Sequence, residues 1–140
     1  MKRRLVDTGF WISLYEERSE YYEKAQTLLD KIEEDEGFEI ILPFPTLYEF
    51  VNTRFARRIT RINAFEAFIR QPHVKIWDDT TYQEAALTDF FEKNKQGRSL
   101  SLVDCVIRQM LDDTDFNIEG LICFNVGDFI DICKDRKSVV

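Results

Sequence analysis

The chain has 140 residues, of which 44% are hydrophobic and 32% are charged, and these values exclude a disordered chain and suit one globular domain. Its net charge of −7 at first argues against a nucleic-acid partner, although the distribution of charge along the chain matters more than the sum. No apolar stretch approaches the roughly 20 residues of a membrane helix, and only Leu5 and Val6 follow the basic N-terminus before an acid. We therefore predict neither a membrane span nor a signal peptide, and we expect a cytoplasmic protein.

The cysteines and the single histidine, His73, limit the chemistry that the chain can perform. Cys105, Cys123 and Cys133 are an odd set without a Cys-x-x-Cys pair, which predicts buried thiols rather than disulfides. One histidine excludes a His-Glu-x-x-His zinc site. Any metal would therefore be held by oxygen ligands, which favours Mg²⁺ or Mn²⁺.

The first half of the chain alternates between strand and helix patterns. Leu5 and Val6 predict a short buried strand, which Thr8 and Gly9 end before a helix begins at Phe10. Apolar residues then recur at helical spacing over residues 22–32, and a strand follows at residues 38–42, closed by Pro43 and Pro45. A long helical crossover between two strands indicates a parallel sheet.

A capping box of Thr46 and Glu49 predicts the start of the next helix, whose basic face reaches Arg61. A further helix is predicted from about residue 62 to 70, an edge strand at 73–77 and a helix at 81–95. Ser101 and Asp104 open another helix, and residues 120–124 form the last clear strand.

Together these elements predict a single α/β domain over residues 1–133, with a mostly parallel central sheet flanked by helices. Residues 134–140 are predicted to form a loosely held tail.

Acidic and amide side chains recur where these elements begin or end: Asp7, Glu49, Asp104, Asn125 and Asp128. In open α/β sheets, ligands bind at the carboxyl ends of the strands, so Asp7 is the strongest candidate for a site. Carboxylates that converge repel one another unless a cation neutralises them. Two Mg²⁺ ions about 3.5–4 Å apart can activate a water and stabilise an in-line phosphoryl displacement.

Each acid also has a purely structural interpretation. Asp7 could cap the first helix, and Glu49 and Asp104 could complete capping boxes. Asp128 follows Gly127 and could simply belong to a turn.

A basic stripe interrupts this acidic sequence. Its four arginines lie at spacings of three and four, which places most of them on one helix face: Arg54, Arg57, Arg58 and Arg61. The stripe could be a solvated helix face or could contact phosphates.

The ordered set of motifs resembles the PIN-domain ribonucleases, and in particular the VapC-type toxins. These motifs are Leu-Val-Asp-Thr at Asp7, Thr-x-x-Glu-x-x-Asn at Glu49, Ser-Leu-x-Asp at Asp104 and Asn-Val-x-Asp-Phe at Asp128. The resemblance implies a PIN-like fold whose acidic pocket binds Mg²⁺ or Mn²⁺ and hydrolyses RNA phosphodiester bonds. It assigns metal binding to Asp7, Glu49 and Asp104, with Asp104 as the central bridge.

The fourth acid departs from the family pattern. Many members have Thr-x-Asp directly after the last core strand, whereas this chain has Asn125 there and an acid only at Asp128. Asn125 offers a carbonyl oxygen without a charge, so the site would hold either two metal ions or one. Activity would then depend on Asp128 or on a single tightly held ion. Thr8 and Ser101 would orient the acids through hydroxyl hydrogen bonds, and the arginine stripe would bind RNA.

The same resemblance implies an antitoxin partner and a homodimer. Aromatic residues on helices could supply a groove for an antitoxin helix or could pack in the core: Phe50, Phe55, Phe65 and Phe68.

Three other functions remain open from the sequence. A catalytically silent PIN-like module would bind RNA or protein without cleavage, and a housekeeping PIN nuclease would have no antitoxin. A phosphoryl-accepting receiver domain is disfavoured because such domains have an acidic pair after the first strand, whereas Asp7 stands alone.

Overall fold

The computed structural model describes residues 2–34, 37–51, 57–124, 126–133 and 138–139 and is built around one parallel β-sheet. Its strands are rich in Leu, Ile and Val and are buried where they cross the centre of the protein, as expected for parallel strands covered on both faces. The strands are β1 (Lys2–Val6), β2 (Phe38–Pro43), β3 (Val74–Trp77), β4 (Gly120–Ile122) and β5 (Ser138–Val139).

Helices connect the strands and cover both faces of the sheet. Short 3₁₀ turns at Thr80–Tyr82 and Val126–Asp128 supplement them. The helices are α1 (Thr8–Tyr15), α2 (Tyr22–Glu34), α3 (Phe44–Val51), α4 (Ile59–Ile69), α5 (Gln83–Lys95), α6 (Leu102–Asp112) and α7 (Ile130–Cys133).

The strand order is β3-β2-β1-β4-β5, and all four pairings are parallel. From β1 the chain proceeds outward to β2 and β3, and then returns to the other side of β1 to form β4. The order therefore reverses between β1 and β4, and a crevice opens outside the carboxyl ends of these two strands.

Alternating strand residues supply two separate hydrophobic cores. On one face, Leu5 and Leu121 pack with Ile107 and Met110 of α6. On the other face, Val6 packs with a cluster that includes aromatic residues of α1, α3 and α4. Because successive strand side chains point to opposite faces, adjacent residues of β1 enter different cores.

The structure confirms the predicted fold class and differs from the sequence prediction at several element boundaries. Pro45 lies inside α3 rather than before it, since α3 already begins at Phe44. A proline in the first turn of a helix is tolerated because the N–H that it lacks would have no partner there. Within the predicted tail, Ser138–Val139 pairs with β4, and residues 134–137 and 140 lie outside the described residues.

Several predictions about individual side chains are confirmed. Cys105, Cys123 and Cys133 are buried and free of disulfides. Three of the four phenylalanines considered for an exposed groove are in the core instead, since Phe50, Phe65 and Phe68 are at most 6% exposed; Phe55 lies outside the described residues. No helix in the described part of the chain is long and apolar enough to span a membrane.

Candidate metal centre

Asp7 lies at the reversal point of the sheet, directly after β1. Its backbone N–H donates to the carbonyl of Ile122 in β4 at 3.0 Å, so the end of β1 is fixed against the end of β4. Its carboxylate is the N-cap of α1, where Oδ1 accepts from the Thr8 N–H at 2.8 Å. The capping interpretation is therefore confirmed, and it coexists with a position at the ligand-binding edge of the sheet.

Glu49 extends from α3 towards the same edge. Its Oε1 accepts from the hydroxyl of Thr8 at 3.0 Å, which links α3 to the start of α1. The predicted capping box is wrong, because α3 begins before Thr46 and the Thr46 hydroxyl donates to the carbonyl of Pro43 at 2.7 Å. Glu49 is thus not needed to start its own helix.

Asp104 is fixed at the start of α6 by a capping box. Its N–H donates to the Ser101 hydroxyl at 3.0 Å, and its Oδ2 accepts from the Ser101 N–H at 3.1 Å. The structural interpretation of Asp104 is therefore confirmed. Ser101 orients this carboxylate, although it does so through its backbone N–H rather than its hydroxyl.

Asp128 closes the 3₁₀ turn that follows β4. It is partly buried, and its charge is close enough to that of Asp7 to affect the ionisation of Asp7. Asn125, the other candidate ligand after β4, lies outside the described residues.

The charges of Glu49, Asp104 and Asp128 all act on Asp7. Burial raises the pKa of Asp7 from its usual 3.8 to about 7, and the charge of Asp104 is the next largest cause. The charges of Glu49 and Asp128 add to this rise, whereas the hydrogen bond from the Thr8 N–H opposes it. Burial and the charge of Asp104 also raise the pKa of Glu49, although the Thr8 hydroxyl lowers it.

The side chains that meet here suit a hard divalent cation, because each of them offers carboxylate oxygen. Within the described residues, however, no three Asp, Glu, His or Cys side chains stand in a ready-made metal-binding arrangement. One oxygen each of Asp7, Glu49 and Asp104 is already engaged in a hydrogen bond. A cation would relieve the mutual repulsion of these charges, so the residues fit such an ion chemically.

The arginine stripe does not form one helix face. Helix α3 ends at Val51, and Arg57 and Arg58 precede α4, with Arg58 as its N-cap. Arg61 lies in the first turn of α4 and forms an ion pair with Glu16 at 2.9 Å. The spacing of three and four suggested a continuous helix that the fold interrupts, and Arg54 lies outside the described residues.

Arg58 and Arg61 instead border a polar cavity of about 670 Å³ at the C-terminal end of α1. The cavity includes Arg18, which the sequence prediction missed because it lies in the turn between α1 and α2. The remaining lining residues are Tyr15, Glu16, Glu17, Arg58, Thr60 and Arg61.

A second feature missed by the sequence prediction is an ionic network beneath Asp128, in which Arg108 and Asp89 are buried and Asp131 is exposed. Arg108 of α6 is only 2% exposed and contacts the side chains of Asp89 and Asp131 at 2.8 and 2.7 Å. One feature of the sequence could have indicated this network. Arg108 lies among the apolar residues of α6, and a charged side chain buried there requires ionic or hydrogen-bond partners.

Comparison with known proteins identifies the fold. The family model described as "PIN domain" matches residues 4–111. A search of curated proteins finds no match.

Two solved structures have similar folds. One is the Mycobacterium tuberculosis toxin VapC20, described as cleaving the sarcin-ricin loop, with a TM-score of 0.70 and 20% identity over 89% of this chain and 92% of that one. The other is VapBC2 from Rickettsia felis bound to a promoter DNA fragment, with a TM-score of 0.64 and 14% identity over 99% of this chain and 97% of that one. With the family model matching most of its length, the chain belongs to the PIN-domain family.

Proposed function

We propose that this PIN-domain protein is a Mg²⁺- or Mn²⁺-dependent endoribonuclease and the toxin of a type II toxin–antitoxin system. The observation that carries the proposal is the position of Asp7 beside the ends of β1 and β4, where burial raises its pKa and the charges of Asp104, Glu49 and Asp128 raise it further. Carboxylates gathered from four separate elements destabilise a fold unless they bind a cation. The structural likeness to a toxin described as cleaving the sarcin-ricin loop supports the choice of reaction.

In this proposal Asp7, Glu49 and Asp104 hold the metal, with Asp104 in the central position. Asp128 and the carbonyl oxygen of Asn125 are the further candidates. When bound, the metal supplies the positive charge that activates water and stabilises the phosphoryl transition state. The near absence of histidine agrees with this chemistry, because no imidazole base is required.

Thr8 has a defined part in orienting the carboxylates. Its N–H donates to Asp7 and its hydroxyl donates to Glu49, so one buried residue fixes an oxygen of each. Hydrogen bonds of this kind determine which oxygen of a carboxylate remains available to a metal. Ser101 orients Asp104 in the same way from the other side of the site.

We further propose that the polar cavity beside α1 binds RNA phosphates. Arg18 and Arg58 are exposed, and within the described residues neither guanidinium forms an ion pair, whereas Arg61 is paired with Glu16. Arg58 also makes no side-chain cap for α4, so the first N–H groups of this helix are not capped by it. Because α1 spans about 12 Å from Asp7 to the cavity, RNA held there would extend towards the carboxylates.

Salt dependence tests the phosphate contacts. Replacing both Arg18 and Arg58 with glutamine should weaken RNA binding and reduce the slope of log K against log salt concentration by about 1.4, since each single-strand contact contributes about 0.7. Arg70→Gln is the matched control, because Arg70 is the exposed C-cap of α4 and is paired with Glu66. An unchanged slope in the double variant would remove the cavity from the binding site.

Metal titration combined with RNA cleavage tests the central proposal. Wild-type protein should bind Mn²⁺ and cleave RNA only when the metal is present, and Asp104→Asn should lose both properties. Asn can still accept the Ser101 hydrogen bond, so this variant retains its helix cap. Asp112→Asn, at the exposed C-terminal end of the same helix, is the matched control and should behave as the wild type does.

A catalytically silent binding module is the second candidate. It is favoured by the absence of a preformed metal cluster among the described residues and by the use of Asp104 in a capping box. It predicts that wild-type protein neither binds Mn²⁺ nor cleaves RNA, so the same titration separates the two functions.

An antitoxin and a second copy of the chain are the proposed protein partners. The support is the likeness to a VapBC2 structure, whose name pairs a VapC protein with VapB. Co-expression with the protein of a neighbouring open reading frame should yield a complex with reduced RNA cleavage. Full cleavage in the presence of that protein would instead favour a housekeeping nuclease.

A further inference from the structure

Arg108 makes an unusually complete set of contacts for a buried cation. Its Nε donates to Asp89 of α5 at 2.8 Å, and its Nη1 and Nη2 donate to the two carboxylate oxygens of Asp131 at 2.7 and 3.1 Å. Its Nη1 also donates to the backbone carbonyl of Asp128 at 2.9 Å. One side chain of α6 thereby connects α5, α7 and the turn that carries the fourth carboxylate.

Arg98 approaches the same two groups from the surface. Its Nη2 donates to the carbonyl of Asp128 at 3.3 Å, and its Nη1 donates to Asp131 at 3.1 Å. The carbonyl of Asp128 therefore accepts from two guanidinium groups, one buried and one about one-third exposed. The backbone at this position is held from both sides.

We propose that Arg108 and Arg98 are positioning residues for the acidic site. They fix the backbone of Asp128, which lies in the turn after β4, beside the end of β1 that leads into Asp7. Arg108 follows Asp104 by about one turn of α6, so the same helix presents one carboxylate directly and fixes another through Arg108. This inference rests on the proposed metal-dependent function, because it assigns the network a part in metal binding.

The geometry favours this role over a purely stabilising one. A buried ion pair contributes little net stability compared with apolar residues of similar volume, because both charges must be desolvated. Fork-like guanidinium groups, however, restrict direction as well as distance. Here two of them converge on the main-chain carbonyl of Asp128, the candidate acid that follows β4.

The test compares Mn²⁺ binding, steady-state cleavage and amide exchange in variants of the full chain. Arg98→Gln removes the outer contact at an exposed position, and Arg108→Lys keeps the buried charge but loses the forked geometry. Arg98→Lys is the conservative variant that retains a donor for the carbonyl. The matched control is Arg3→Lys, because Arg3 also contacts a carboxylate, Glu39, and a backbone carbonyl, but near the opposite ends of the strands.

We expect Arg98→Gln and Arg108→Lys to weaken Mn²⁺ binding by about 10- to 100-fold. Substitution of residues that orient metal ligands commonly has an effect of this size. At a fixed, subsaturating Mn²⁺ concentration, kcat should fall while KM for RNA changes less than about twofold. In metal-free protein, hydrogen exchange should accelerate in residues 126–133. Arg98→Lys should restore much of the affinity, and Arg3→Lys should leave all three measurements unchanged.

Two negative results are distinguishable. If the wild type binds Mn²⁺ and both variants bind it equally well, the positioning role is overturned while the nuclease function stands. If the wild type itself binds no Mn²⁺ and does not cleave RNA, the proposed function fails and the positioning role fails with it. A third result would also overturn the inference. If amide hydrogen exchange accelerates throughout the protein in the variants, and Arg3→Lys loses as much Mn²⁺ affinity as they do, the arginines have a general structural role.

Discussion

Replacing Asp7 with asparagine should stabilise the metal-free protein at neutral and higher pH. Asparagine retains an oxygen that can accept from the Thr8 N–H, but it removes the charge that burial and Asp104 disfavour. The pKa of Asp7 lies above its value in an unfolded chain, so the folded state holds its proton to higher pH than the unfolded state does. The free energy of unfolding should therefore fall as pH rises from about 4 to 7 and remain lowered above pH 7.

The size of the effect follows from the same shift. A rise of the pKa from 3.8 to about 7 corresponds to at most about 4 kcal/mol. Asp7 is partly accessible to water, which screens the charges, so we expect a gain of about 1–2 kcal/mol for Asp7→Asn at pH 8. At pH 4 the two proteins should unfold with nearly the same free energy.

Urea unfolding followed by circular dichroism, in buffer with EDTA at pH 4 and pH 8, measures this difference. Asp30→Asn is a matched control because Asp30 is an exposed acid on α2. Adding Mn²⁺ should stabilise the wild type and leave Asp7→Asn nearly unchanged. Equal stability of wild type and Asp7→Asn at pH 8, or a difference that does not vary with pH, would refute the electrostatic reasoning.

Three further substitutions test the groups around the site. Thr8→Val removes the hydroxyl that donates to Glu49 and should weaken Mn²⁺ binding about 10-fold by isothermal titration, whereas Thr8→Ser should retain binding. Ser101→Ala removes a helix cap and should lower the free energy of urea unfolding by about 1 kcal/mol. The hydrogen bond from Arg108 lowers the pKa of Asp131, so this carboxylate stabilises the fold above about pH 4 and less as pH falls through its folded pKa. Asp131→Asn should consequently cost about 1–2 kcal/mol at pH 7 and progressively less in acid.

Local patterns were sufficient to predict the order of strands and helices. The buried strands are short apolar runs in the sequence, and the longer helices are segments with apolar residues at helical spacing. Each pattern can be recognised within a short window of residues. The start of α3, near Pro43 and Pro45, was harder to predict, since proline can either end a strand or begin a helix. The prediction that the arginines share one helix face was wrong for a related reason. Arg57 and Arg61 have helical spacing in the sequence, but α4 begins only after Arg58.

The placement of Asp7 and Asp128 at one edge of the sheet was predictable because topology brings the two residues together. Asp7 and Asp128 follow β1 and β4, and any parallel sheet that places these strands side by side places both residues at one edge. The network beneath Asp128 was not predictable in the same way. Arg108 and Asp131 meet only after α6 and α7 have packed, and no local pattern in the sequence specifies that contact.

On the proposed function, the arrangement would link metal binding to the stability of the whole fold. The four carboxylates belong to the end of β1, to α3, to α6 and to the turn after β4, so their repulsion acts between parts of the chain that are distant in sequence. A cation held between them would cross-link these elements, and its binding free energy would add directly to the free energy of unfolding. In the metal-free protein, hydrogen bonds from Thr8 and Ser101 and the contacts of Arg108 hold the same elements in place. We therefore expect the protein to fold without metal and to gain stability on binding it, with the gain concentrated at the junction of β1 and β4.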